Sequence, residues 1–192
     1  MKVLRDLSYR AHSPFKKGSV LTLGNFDGFH LAHQKLVRLA IAKARRYRLP
    51  SALLTFYPHP RDFFAGKQVQ LQLMRLSEKW LALQTYSLDY LISLRFNQAL
   101  ASLPAIDFVN QVLVDKLNVK AIFVGDDFHF GAGRTGDYAL LKMLGDRYDF
   151  EVERIPPLLI NGERVSSQDI RRALQEGDLM RAQQCLGMPY SL

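Results

Sequence analysis

His30 and His33 stand three residues apart, directly after the turn-forming stretch Gly24-Asn25-Phe26-Asp27-Gly28. Residues at that spacing share one face of a helix. Upstream, Val20 to Leu23 is an apolar run too short for a membrane span and right for a buried strand. Downstream from Leu31, apolar residues recur at Leu36, Leu39 and Ala40, and basic residues fill the last turns as far as Arg48. Residues 21–48 therefore read as a strand, a glycine-punctuated loop and an amphipathic helix with both imidazoles in its first turn. A helix N-terminus offers unpaired N–H groups and the positive end of the peptide dipole, a ready seat for phosphate. Imidazoles at such a place suit phosphoryl or nucleotidyl transfer.

Three further stretches carry chemistry-bearing residues. In Thr55–Phe64, TFYPHPRDFF, two prolines around His59 make a stiff turn followed by Arg61, Phe63 and Phe64. In Val124–Asp137, VGDDFHFGAGRTGD, Gly125, Gly131, Gly133 and Gly136 mark a loop that a ligand could use, with Phe128, Phe130 and Arg134 in it. In Val165–Arg172, VSSQDIRR, two serines ahead of an apolar run make a helix start, which capping alone would explain.

The elements that must position these residues alternate along the chain. Strands are expected at 51–56, 90–96, 120–124 and 150–155, in addition to the one before Gly24. Helices are expected at 76–86, with Ser77 as N-cap, at 106–116 with Phe108, Val109, Val112 and Leu113 as the inner stripe, and at 167–176 and 178–186. The prolines of Tyr57-Pro58-His59-Pro60 forbid helix or central strand there. Such alternation argues for a parallel sheet with helices on both faces and ligands beyond the strands' C-terminal ends. The singled-out residues do follow strands.

At 192 residues, with 48% hydrophobic and 23% charged residues, the chain has the composition of one ordinary globular domain. Cys185 is the only cysteine, so no intrachain disulfide can form and a reducing compartment is expected. The first seventeen residues hold no uninterrupted apolar core, and no run approaches the ~20 apolar residues of a membrane helix. The expectation is a cytoplasmic protein. A net charge of +8 calls for an anionic partner or has no specific meaning. The basic run Lys43–Arg48, however, lies where cations complement the C-terminal end of a helix, and no nucleic-acid-recognition motif accompanies it.

Together these stretches resemble the bacterial FAD synthetases, the bifunctional riboflavin kinase/FMN adenylyltransferases of the nucleotidyltransferase superfamily. GNFDGFHLAH is similar to the family's G-N-F-D-G-x-H-x-G-H, with Ala32 in place of glycine. TFYPHPRDFF resembles T-F-x-P-H-P-x-x-x-F, and VGDDFHFGAGRTGD resembles V-G-x-D-F-x-F-G-x-x-R-x-G-D almost position for position. VSSQDIRR resembles S-S-T-x-I-R, with Gln168 replacing threonine. The motifs run in family order from about residue 18 to the end.

The resemblance implies a Rossmann-like α/β nucleotidyltransferase fold and the reaction Mg·ATP + FMN → FAD + pyrophosphate. It implies His30, His33 and Arg171 as catalytic residues. Gly24, Asn25, Phe26, Gly28, His30, His33, Ser166, Ser167 and Arg171 would bind ATP, and Pro58, Pro60, Phe64, Asp127, Phe128 and Arg134 would border the flavin. Mg²⁺ would come with ATP, and no metal-binding residue stands out. The kinase half of such enzymes usually follows an element like Leu186–Tyr190, so residues 1–192 are expected to be the adenylyltransferase domain with the kinase module absent. Two rival readings stay open: a related nucleotidyltransferase acting on another phosphate acceptor, and a basic nucleic-acid-binding module.

Overall fold

Short runs rich in β-branched and leucine residues form the main strands: β2 (Ser19–Leu23), β3 (Ser51–Tyr57), β4 (Tyr90–Arg95), β5 (Val119–Gly125) and β6 (Glu151–Ile155). A short strand, β1 (Lys2–Leu4), pairs along β4. The chain is seen in a computed structural model that describes residues 1–7, 13–67 and 71–188. The six strands form one sheet in the order β1-β4-β3-β2-β5-β6, every pair parallel.

A parallel sheet buries both faces, and strand alternation assigns each residue to one of them. Val20, Leu53, Leu91, Ala121 and Phe123 face a core shared with Leu36, Val37, Ala40, Ile41 and Ala44 of α1 (Leu31–Tyr47) and Leu83 of α3 (Leu76–Gln84). Their neighbours Leu21, Ala52, Leu54, Ile92, Ile122 and Val124 face the opposite core. There they meet α5 (Ala105–Phe108), its π-helical continuation Val109–Val114 and α6 (Tyr138–Tyr148). A third cluster, holding Leu73, Val165, Ile170, Ala173, Ala182 and Cys185, joins α7 (Ser167–Gln175) and α8 (Leu179–Leu186) to the domain. The fold is Rossmann-like. The chain leaves β2 toward β3 and β4, then returns to β2's other side with β5 and β6, so a crevice is expected between β2 and β5 at their carboxyl ends.

Several elements differ from the reading of the sequence. Pro60 does not forbid a helix: it opens α2 (Pro60–Ala65), because the N–H it lacks has no partner in a first helical turn anyway. Arg75, not Ser77, precedes the first turn of α3, and the Glu78 carboxylate accepts from the Arg75 N–H at 2.6 Å. The one-turn helix α4 (Gln98–Ala101), the edge strand β1, helix α6 and the antiparallel hairpin β7 (Leu159–Ile160) with β8 (Glu163–Arg164) were not foreseen. Helix α6 is started by Asp137, whose carboxylate accepts from Leu140 N–H at 2.9 Å. In sequence that residue reads only as the end of the glycine-rich stretch. Of the Leu186–Tyr190 element, Pro189 and Tyr190 lie outside the described residues.

Gly145 fixes how closely α6 approaches β6. A Cβ there would lie 2.7 Å from the Phe150 carbonyl oxygen and 2.8 Å from Val152 Cγ2. Helix propensity alone favours Gly→Ala by ~1 kcal/mol, whereas overpacking against backbone costs ~1–3 kcal/mol. Gly145→Ala is therefore expected to lower the melting temperature in a thermal unfolding scan, against the propensity rule.

Candidate active site

Helix α1 begins at His30, which caps it: its Nδ1 accepts from His33 N–H at 3.4 Å. An accepting Nδ1 is unprotonated, so the ring proton sits on Nε2. His30 and His33 stack with centroids 3.6 Å apart, and His33 also packs against Phe26 at 4.9 Å. Burial pushes His30 down to about 4, and pushes His33 well below the ordinary histidine range, helped by the neighbouring His30 and by Lys79. Both rings are neutral at pH 7. His33 Nδ1 is buried without a hydrogen-bond partner, which leaves Nε2 as the nitrogen able to reach a ligand.

The loop before α1 turns through left-handed backbone at Phe26 (φ 50°) and Phe29 (φ 44°), conformations that bulky residues rarely hold. Burial of both rings offsets that strain. Gln34 ties the helix start to α8, donating to Phe29 O at 3.1 Å and to Leu186 O at 2.8 Å.

Asp27 joins this loop to α7. Its carboxylate accepts from Met74 N–H at 3.1 Å and pairs with the Arg171 guanidinium, while its backbone carbonyl accepts from Ser167 Oγ at 2.8 Å. Arg171 Nε donates to Leu71 O at 2.8 Å, so Nη1 is the guanidinium nitrogen outside these bonds. Ser166 caps α7, accepting from Asp169 N–H at 3.1 Å, and its own hydroxyl proton remains available. The Ser167 hydroxyl already donates to the Asp27 backbone carbonyl.

The two helix starts open into a cavity of about 730 Å³ at the β2/β5 crevice, a size suited to a ligand larger than a single base. Its other end is aromatic. The rings Phe64, Phe96, Phe56, Phe108, Phe130 and Phe128 follow one another at centroid distances of 5.8, 5.9, 6.5, 5.9 and 5.3 Å. That chain links the proline-rich turn to the glycine-rich loop. Phe64 is 68% exposed, a flat apolar face turned outward. Across the cavity, Arg164 of β8 pairs with Asp126 at 2.7 Å and Asp127 at 3.2 Å.

Of the expected site residues, Gly24, Asn25, Phe26, His30, His33, Ser166, Ser167, Arg171, Pro60, Phe64, Asp127, Phe128 and Arg134 line this one cavity. Gly28 and Pro58 do not. Gly28, at φ 79°, is needed where a Cβ would lie 3.0 Å from Leu73 Cδ1, so its place is in loop packing. Ala32, the departure from the family pattern, lines the cavity. Sequence reasoning missed Asp27, Phe56, Phe96 and Arg164. Asp27 was visible inside its motif, but its partners at 74 and 171 were not. Among the described residues no three His, Cys, Asp or Glu side chains converge as a metal site. Asp27, Asp126 and Asp127 are the carboxylates of the cavity wall. All three are already paired, Asp27 with Arg171 and Asp126 and Asp127 with Arg164, so a Mg²⁺ would be held mainly by the phosphates it arrives with and by water.

A family model for FAD synthetase matches residues 12–169. This chain belongs to the FAD synthetase family. It is 38% identical over 192 residues to the bifunctional riboflavin kinase/FMN adenylyltransferase of Escherichia coli (strain K12), covering all of this chain and 61% of that protein. The protein of the same description from Haemophilus influenzae is 40% identical over 176 residues, 92% of this chain and 57% of the relative. The chain thus spans about three-fifths of the length of the curated family members it matches. A crystal structure described as a macrolide-efflux protein from Streptococcus pneumoniae superposes with a TM-score of 0.81 at 28% identity, covering 98% of this chain and 61% of the other. Pantothenate synthetase from Thermus thermophilus, at TM-score 0.54 and 16% identity over 97% of this chain and 82% of its own, shares the α/β nucleotidyltransferase-like fold. No helix among the described residues is long and apolar enough to cross a membrane.

A histidine whose native pKa is depressed withdraws stability as pH falls. Between the unfolded value near 6.5 and the native value of about 4, the unfolded chain binds the proton and the native His30 does not. The loss from this ring is on the order of 3 kcal/mol by pH 4. Denaturant unfolding at pH 7, 5.5 and 4 is expected to show stability falling through that window, and His30→Gln is expected to flatten the fall.

Proposed function

We propose that this chain transfers the adenylyl group of Mg·ATP to the phosphate of FMN, releasing FAD and pyrophosphate. One observation carries the reading: two helix starts bearing neutral histidines and an arginine share a single cavity with a wall of phenylalanines. The polar end suits phosphates and the aromatic end suits an isoalloxazine.

An oxygen of the FMN phosphate attacks the α-phosphorus of ATP, the bond from that phosphorus to the β-bridging oxygen breaks, and the electron pair leaves on pyrophosphate. FMN's phosphate is already ionised near pH 7, its second pKa being about 6 as for other monoesters, so no side chain has to remove a proton. Catalysis then rests on alignment and on neutralising the charge of the leaving group. In this reading His30 and His33 donate from Nε2 to phosphate oxygens, as do the α1 N–H groups. The Ser166 hydroxyl and Arg171 Nη1 approach from α7. Mg²⁺ bound with the triphosphate would add charge neutralisation. Asp127 and Arg134 border the flavin end. Residues 1–192 act as one adenylyltransferase domain in the cytoplasm, where ATP is available.

The test incubates the purified chain with ATP, Mg²⁺ and FMN and separates products by chromatography. FAD and pyrophosphate are expected. Riboflavin in place of FMN gives no FAD, because it lacks the attacking phosphate. Adenylylation of a different phosphate acceptor with FMN untouched would assign another nucleotidyltransferase activity, and salt-sensitive RNA binding without turnover would assign a binding module. His33→Ala, folded by circular dichroism, is expected to lose ~10²–10³-fold in kcat, the typical effect of deleting one preorganised donor.

Phe64 and Phe128 supply a second check. Each replaced by alanine is expected to raise KM for FMN several-fold more than KM for ATP. Phe64→Ala is also expected to leave stability nearly unchanged, since its ring is exposed, unlike a buried phenylalanine at ~3–5 kcal/mol. Equal weakening toward both substrates would assign these rings to packing.

A further inference from the structure

Lys79 of α3 is a buried cation that the proposed mechanism does not use. Its ammonium donates to the Asn25 carbonyl at 2.7 Å, and the same oxygen accepts from Thr55 Oγ1 at 3.0 Å. Asn25 immediately precedes Phe26, where the chain turns left-handed. The lysine therefore grips the loop one residue before a left-handed turn. It also borders a side cavity of about 30 Å³, room for a water, together with Asn25, Asp27, His59, Asp62 and Arg171. The charged and titratable groups facing it are Asp27 from the loop, His33 from α1, Tyr57, His59 and Asp62 around α2, and Arg171 from α7. Asp27 is already engaged by Arg171.

A lysine is almost never buried unless something requires its charge, and the Asn25 carbonyl could have been satisfied by Thr55 alone. We infer that Lys79 is a positioning residue for the phosphate end of the cavity: from behind the loop it locks the Asn25–Phe26 turn and sets a positive charge beside the stacked histidines. A structural peg would need only the hydrogen bond. A charge also draws the triphosphate and the developing pyrophosphate from the α1 side, where the N–H groups and the neutral imidazoles offer only partial charges.

Burial pushes the Lys79 amine down to about 8, with Asp27 opposing. The amine is charged below that pH and neutral above it. Its contribution is therefore present at pH 7 and lost as pH rises through 8. The inference rests on the adenylyltransferase reading, so its test needs one arm without turnover.

The experiment compares the unmodified chain with Lys79→Met and Lys79→Arg from pH 6.5 to 10, measuring kcat/KM for ATP and, by calorimetry, Mg·ATP binding. For the unmodified chain, kcat/KM and ATP affinity are expected to fall above pH 8. Lys79→Met, close in shape, is expected to sit about tenfold lower at pH 7, below the effect of a direct donor, and to show no step at pH 8. Lys79→Arg, charged throughout, is expected to keep its level at least one pH unit further. Should the arginine variant not fold, the flat profile of Lys79→Met carries the test alone. Unchanged kcat/KM and ATP binding in folded Lys79→Met, or an alkaline fall that persists unaltered in Lys79→Arg, would overturn the inference. ATP binding that depends on Lys79 in a chain that makes no FAD would sink the proposed function and leave this inference standing.

Discussion

The carboxylate of Asp27 is the constraint on which the rest of the site depends. It is 7% exposed and bridges the β2–α1 loop, the Met74 amide and Arg171 of α7. An anion so far from water is tolerable only when paired, and removing its partner typically costs ~3–5 kcal/mol. The pairing therefore fixes the separation of the two helix starts and aims the guanidinium. Around it the backbone contributes as much as the side chains. Ser167 closes onto the Asp27 carbonyl, and Lys79 and Thr55 converge on that of Asn25.

Neutral histidines suit the proposed reaction, whose ligands are anions and which needs no base. A charged imidazole would attract phosphate more strongly, but burial against Phe26 and a second imidazole disfavours it. Positive charge enters instead from groups that stay charged in their surroundings, Arg171 in the wall and Lys79 behind it. The net charge of +8 has little to do with this. Its densest run, Lys43–Arg48, lies at the opposite end of α1, where Lys43 pairs with Glu153 at 3.2 Å.

What was legible in the sequence follows from how local each signal is. Short apolar runs announce the central strands, and the stripe Phe108, Val109, Val112 and Leu113 announces its helix, because neighbours in sequence carry those patterns. The edge strand Lys2–Leu4 has no such pattern: it is three residues long and mostly exposed. Proline at the start of α2 and glycine inside α6 carry breaker signals that helix starts and close helix–strand packing override. Within the site, four motifs were readable, yet what joins them was not. Phe56 and Phe96 connect two of them only in three dimensions, and the burial of Lys79 appears only in the fold. Ser167 shows the limit most clearly. Its type suggests a phosphate donor, but the fold has committed its hydroxyl to the Asp27 backbone carbonyl.

The central claim is that His30 and His33 meet the phosphates as neutral rings donating from Nε2. Nitrogen-15 spectra of histidine-labelled chain at pH 7, recorded without and with Mg·ATP, test it directly. Both rings are predicted to be neutral in the free chain, His30 as its Nε2–H tautomer, and both Nε2 signals are predicted to shift on ATP addition with no second proton gained. Saturating ATP that leaves both rings unmoved, or rings already doubly protonated at pH 7, would contradict it.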